Sequence, residues 1–295
     1  MHTILVTGAT GTVGSATIKA LEESDIIVRA GVHSIIKGER LKHPQVELVE
    51  IDFSRPETIE AAMTGVEKLF LITPFSETQV EMARCLIDQA KKCGIKHIVR
   101  LSAMGADAEP GIQLGRWHRE VEKMIEESGI PYTHLRPASF MQNFANFYSG
   151  NIQNDDHIFL PLGQGKISYI DARDIADVAK KVLLTDQFYN QAITLTGPQA
   201  LSVADIAHQI SHVAGRQIHY QEITDEEAKE AMLNHQVPKN LADAMNELHA
   251  LGKAGYCSGI TSGVQEITGR KPRDFHQFAH DYKSCFSKKE ENVTP

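Results

Sequence analysis

Cysteine is scarce: Cys85, Cys93, Cys257 and Cys285 are the only four in 295 residues, and no two stand in a CxxC or other metal-ligand spacing. A disulfide scaffold and a zinc module are thereby excluded, and reduced thiols in a cytosolic protein are the expectation. Long apolar runs are missing as well. The N-terminal run is broken by glycine after a few residues, too short for a signal-peptide core, and nothing later approaches a membrane span. Positive charge is in deficit, with 30 Lys+Arg against 38 Asp+Glu and a formal net charge of −8, which opposes attraction to nucleic acid or to an anionic membrane. Repeats and low-complexity segments are absent. What remains is an ordinary globular composition, 42% hydrophobic and 23% charged, expected to be soluble and cytoplasmic. The tail 287–295 is charged, lacks apolar periodicity and is expected to be disordered.

What is present is an alternation. "TILVT", "IIVRAGV", "VELVEI", "KLFLIT", "KHIVRLS" and "YTHLRP" are short Val/Ile-rich runs, each followed by a segment of helical period at 12–22, 34–42, 56–63, 76–92, 116–128 and 139–148. Strands apolar on both faces that alternate with helices predict an α/β fold with a doubly wound parallel sheet. Ser54-x-x-Glu57, Ser76-x-x-Gln79 and Thr224-x-x-Glu227 have the capping-box spacing of helix starts. The rhythm changes near Gly150. The sequence therefore predicts a dinucleotide-binding domain over 1–150, with 166–197 contributing to it, and a smaller, mostly helical α+β substrate region over 151–286.

The first strand runs into "TGATGTVG" and then a helix. Gly8 allows the tight turn, Gly11 lets backbone N–H groups approach a pyrophosphate, and Gly14 allows close packing of helix on sheet. The helix N-terminus adds positive partial charge. Thr10, Thr12 and Val13, in the same loop and first turn, complete the candidate pyrophosphate contacts. At the second strand's end an acid would grip the ribose of NAD, and a cation would accept the 2′-phosphate of NADP. No acid occurs from Ile26 to Lys37, where Arg29, His33 and Lys37 stand instead, so NADP is favoured, with NAD as the alternative.

The TGxxGxxG signature resembles the atypical branch of the short-chain dehydrogenases/reductases, which share the NAD(P)-binding Rossmann fold. More closely, "TGATGTVG", "VRAGVHSIIKGERL", "GVEKLFLITP", "AKKCGIKHIVRLSAMGA", "HREVEKMIEESGIPYTHLRPASFMQNF" and "YIDARDIADVA" are similar to the NmrA-like family. The resemblance implies an NAD(P)H-dependent oxidoreductase passing hydride to a small aromatic acceptor such as a quinone or azo compound. The alternative it offers is an NAD(P)-sensing regulator without turnover, which would have a protein partner. It also implies cofactor contacts from Ser34, from Asp52 on the adenine side, and from Ile72, Thr73 and Ser102 at later strand ends.

The superfamily's Tyr-x-x-x-Lys pair is missing, which disfavours sugar-nucleotide epimerase chemistry, and its two positions align with His118 and Glu122. Four residues apart on one helix face, Glu122 could orient the imidazole and raise its pKa, making His118 a candidate proton donor. A solvated helix pair is the plainer alternative. In "RPASFMQNFANFY", Phe140, Phe144 and Phe147 form an aromatic stripe, with Met141 and Tyr148 beside it and Asn143 able to hydrogen-bond. Phe140, Met141, Asn143 and Phe144 are candidate acceptor contacts, although such a stripe serves equally as helix core. The HxxxH pairs His208/His212 and His276/His280 read as solvent-facing, and no metal is expected.

Overall fold

The computed structural model describes residues 2–288, so most of the tail falls outside the described residues. The chain opens with β1 His2–Val6, α1 Thr12–Leu21, β2 Ile26–Val32, α2 Ile35–Gly38, β3 Val46–Glu50, α3 Pro56–Met63 and β4 Lys68–Leu71. It continues through α4 Gln79–Lys92, β5 His97–Leu101, α5 Gln113–Glu127, β6 Tyr132–Pro137, α6 Gln142–Asn146, α7 Ser149–Asn154 and β7 His157–Leu160. α8 Ala172–Leu184, β8 Gln191–Leu195, α9 Val203–Ala214, β9 His219–Glu222 and α10 Asp225–Asn234 follow, and further helices lie beyond them.

Two compact units result. The first comprises 1–137, 172–195 and 262–270. Its seven-stranded sheet has the order β3-β2-β1-β4-β5-β6-β8 with every pairing parallel, as a doubly wound α/β fold requires. The sheet unit therefore ends its first segment at Pro137 rather than near 150, and it recovers 262–270 from far along the chain. The central strands β1, β4, β5 and β6 carry consecutive buried residues and so are covered on both faces, whereas β3 and β8 at the edges are more open. α3, α4 and α5 bury Ile59, Met63, Leu86, Ile87, Val121 and Ile125 against Leu5, Leu69 and Ile98 of the sheet, while α1 packs on α8. α1 shows the reason for its orientation, since Val13, Gly14, Thr17, Ile18 and Leu21 recur at helical spacing and are its buried residues.

The second unit comprises 138–171, 196–261 and 271–295. It holds the two-stranded parallel β7-β9 sheet and, with it, helices α6, α7, α9 and α10. Here Ser202 and Asp205 at α9, and Thr224 and Glu227 at α10, form reciprocal capping boxes. The two other expected boxes do not form. α3 starts with Pro56, which needs no N–H partner, behind Arg55, and α4 is entered from Thr78 without a side-chain cap. The helix expected over 34–42 is reduced to α2 and a 3₁₀ turn at Glu39–Leu41. The four cysteines are unpaired, and no helix among the described residues is long and apolar enough to cross a membrane.

Two histidines are built into the sheet interior. His97 is paired through Nε2 with Thr133 Oγ1 at 2.9 Å, and burial, with the charge of Lys68, pushes it down to about 4. His134 stacks on Tyr132 at 4.5 Å, and burial pushes it to about 4 against the pull of Glu122 and Glu126. Because the unfolded chain takes up these protons first, their contribution to stability is complete above about pH 6.5 and falls as the pH drops toward 4, by roughly 3 kcal/mol per histidine. Urea unfolding at pH 7 and pH 4.5 is expected to show that loss, and to show less of it in His97→Gln. An equal loss in the variant would remove His97 as its source.

Candidate functional site

Strand order reverses direction between β1 and β4, the crevice where open α/β sheets bind ligands. Thr7 fixes this edge: its Oγ1 donates to the Ile72 carbonyl and accepts from the Ile72 N–H, both at 2.8 Å. Gly8 then turns with φ +59°, and a Cβ there would lie 2.9 Å from Ile72 Cγ2. At Gly14 a Cβ would lie 2.3 Å from the Gly8 carbonyl oxygen, so the close approach of α1 to the loop depends on glycine. Gly11 is the N-cap of α1, exposed and without a side chain to cap the helix, and the first turn carries no acid. The loop thus presents a helix N-terminus that fits a pyrophosphate. Thr10 and Thr12 are half-exposed on it, while Val13 is buried and offers only its backbone. Ile72 and Thr73 follow β4 on the far side of the crevice.

At the end of β2, His33 and Lys37 are exposed and Ser34 is the half-buried N-cap of α2. Arg29 points elsewhere. Its guanidinium is taken up by Glu47 and by the Ala62 and Thr64 carbonyls at the end of α3, which removes it from the phosphate candidates. Arg40, not singled out from the sequence, reaches back from the 3₁₀ turn to donate to the Thr10 carbonyl, bringing a cation to the glycine loop. Asp52 lies two residues beyond β3, and its carboxylate is occupied by Ser54 and Arg55, whose hydrogen bonds hold it at about 2. The side chain therefore shapes the turn after β3.

The expected His118–Glu122 pair does not form. Glu122 is fully buried and accepts from Ser102 Oγ at 2.7 Å, from Arg136 Nε and Nη2 at 2.9 and 2.7 Å, and from Arg119 at 3.2 Å. Burial pushes its carboxyl up, but the bonds from Arg136 and Ser102 outweigh it and hold it at about 2. Glu122 cannot also orient the imidazole. Ser102 is committed to this network through its hydroxyl. His118 is partly exposed, with Nδ1 buried and lacking a hydrogen-bond partner. Burial and the nearby Arg100 charge push it down to about 3, against the pull of Glu122, so the expected rise in pKa is reversed.

In the second unit, Phe144 is fully buried, edge-on to Tyr169 and Phe275 at 5.3 and 5.4 Å, and Met141 is 1% exposed. Both are core, which corrects their reading as acceptor contacts. Phe140 and Asn143 are half-exposed, and Phe147 is 73% exposed. His208 and His212 are exposed, with rings 4.6 Å apart. Among the described residues the one group of three prospective metal ligands is Glu122, Glu126 and His134, where Arg119 and Arg136 already neutralise the carboxylates.

The pattern defining the NmrA-like family matches residues 1–279. An NAD(P)H azoreductase of Xenophilus azovorans is 42% identical over 283 residues, covering 96% of this chain and 99% of its own. The Escherichia coli NADPH-dependent quinone oxidoreductase QOR2, solved with NADPH, superposes with a TM-score of 0.84 at 25% identity, covering 94% of this chain and 99% of the other. NmrA, a negative transcriptional regulator solved with NAD, shares the fold with a TM-score of 0.78 at 17% identity, over 95% of this chain and 94% of its own.

Proposed function

The chain belongs to the NmrA-like family, and from that premise we propose that it is an NAD(P)H-dependent reductase of small aromatic acceptors, quinones and azo compounds foremost. The observation that carries this reading is the glycine cradle at the β1/β4 crossover, where Gly8 and Gly14 leave no room for a Cβ and Gly11 leaves the helix N-terminus uncapped. Backbone groups of Gly8, Thr10, Gly11, Thr12, Val13 and Gly14 hold the pyrophosphate. His33, Ser34, Lys37 and Arg40 receive the 2′-phosphate side, which favours NADP over NAD. Ile72, Thr73 and Ser102 line the strand ends toward the nicotinamide ribose. The bound nicotinamide supplies the hydride. Phe140 and Asn143 offer an aromatic face and a hydrogen-bonding group to a flat acceptor.

His118 enters as a neutral imidazole. With its pKa pushed down to about 3 it is not an imidazolium acid at neutral pH, so solvent supplies the proton that accompanies hydride to a quinone oxygen or azo nitrogen, and catalysis rests on orientation. NADPH oxidation is expected to accelerate with members of a quinone and azo panel. Its pH profile between 5 and 8 should contain no ionisation that disappears in His118→Asn. A step near pH 6.5 lost in that variant would restore the imidazolium donor. Tight NADPH binding with no turnover across the panel would support the sensor alternative.

A further inference from the structure

Arg100 is the charged group that the proposed chemistry leaves unused. It is the penultimate residue of β5, 1% exposed, and its guanidinium donates only to uncharged oxygens, the Leu71 carbonyl and Thr73 Oγ1, each at 3.2 Å. Its Nε is buried with no partner. The acid whose charge reaches it, Glu122, is held by Arg136 and Arg119. A guanidinium enclosed in this way lacks the close carboxylate that ordinarily compensates burial, and such an arrangement is costly to the folded state. Its position gives the charge something to act on. Both of its anchors lie at the C-terminal end of β4, one wall of the crossover crevice, on either side of Ile72, which faces Gly8. The adjacent His118 is neutral and adds no second positive charge.

We propose that Arg100 tunes the site to the redox state of the dinucleotide, favouring the reduced form over the oxidised form through its uncompensated buried charge. The inference rests on the reading that the crevice binds NADP(H). Loss of hydride gives the nicotinamide ring a positive charge, so the oxidised dinucleotide carries one negative charge fewer than the reduced one. A fixed cation in a poorly screened interior attracts the reduced form more and repels the oxidised ring. The preference helps product leave after each turnover, and it requires no contact between Arg100 and the acceptor. For a unit charge acting across the crevice at an effective dielectric constant near 20, the expected discrimination is on the order of ten-fold.

The test is equilibrium titration of the full chain with NADPH and with NADP⁺ separately, in wild type, Arg100→Gln, Arg100→Met and Arg100→Lys. Gln keeps donors for the Leu71 and Thr73 oxygens. Met replaces a poorly compensated buried charge with an apolar chain, a change that buried sites commonly tolerate. The ratio of the NADP⁺ to the NADPH dissociation constant is expected to fall about ten-fold in Gln and Met and to be retained in Lys. A general structural defect would weaken both dinucleotides together and leave the ratio in place. An unchanged ratio in either folded neutral variant overturns the inference while leaving the cofactor site standing. Failure of the wild-type chain to bind either dinucleotide overturns the cofactor reading, and this inference with it.

Discussion

Gly11→Asp is expected to abolish dinucleotide binding and to leave the fold standing. Gly11 has φ −76° and ψ 174°, extended backbone that any residue can adopt, and it is exposed at the N-cap of α1. A Cβ there meets the Gly8 carbonyl oxygen at 3.2 Å, a tight contact relieved by a small shift of the loop. Aspartate is among the best N-cap residues, so its carboxylate turns onto the first N–H groups of α1 and stabilises the helix. Those are the groups that the pyrophosphate needs. The variant is therefore self-capped and negatively charged where an anion must dock, and affinity for NADPH is expected to fall by more than about a hundred-fold. Circular dichroism and thermal melting should match wild type within a few degrees. Wild-type affinity in the variant would show that the cradle is not the cofactor site.

Glu122→Ala is the substitution expected to cost most in stability. Glu122 is fully enclosed and receives hydrogen bonds from Ser102, Arg119 and Arg136, joining α5 to the ends of β5 and β6. Truncation leaves the Arg136 guanidinium in the interior with Asp107 as its remaining carboxylate and frees the Ser102 hydroxyl. Breaking a buried pair from one side typically costs about 3–5 kcal/mol, and urea unfolding at pH 7 should show a loss in that range, with Glu122→Gln losing less. The acid limb supplies a second readout. Glu122 is held at about 2, below its unfolded value near 4.3. Its contribution is present above that unfolded value and is lost as the pH falls toward 2. That limb should be shallower in the variant. A loss under about 1 kcal/mol would mean that the network is not a keystone of this unit.

The same residues show why some of this was legible in the sequence and some was not. The parallel sheet and the cradle are local signals. Apolar runs alternate with helical segments, and the glycines have spacings that a turn and a helix start impose, so each can be read within about twenty residues. Arg136 and Glu122 meet from a strand and a helix fourteen positions apart, and no periodicity marks that encounter. Within reach of Glu122 its neighbour His118 looked like the natural partner, yet a guanidinium fork offered a stronger one. Arg40 takes the place near the glycine loop that the sequence suggests for Arg29, for a similar reason. The strand register places Arg29 over the end of α3, whereas a 3₁₀ turn in place of a full helix brings Arg40 back to the Thr10 carbonyl. Helical spacing identified Phe144 and Met141 as apolar-facing, but core and pocket wall have the same period, and only packing on Tyr169 and Phe275 separates them.

On the proposed function, this chain moves hydride from a bound dihydronicotinamide to an aromatic acceptor. Single-turnover mixing of the NADPH-loaded protein with a quinone, using NADPH deuterated at the transferring C4 position beside unlabelled NADPH, tests it most directly. Acceptor-dependent loss of the dihydronicotinamide absorbance is expected, slowed several-fold by the deuterium and absent in Gly11→Asp. Loss of absorbance that proceeds no faster than in free solution, with no isotope effect, would contradict it.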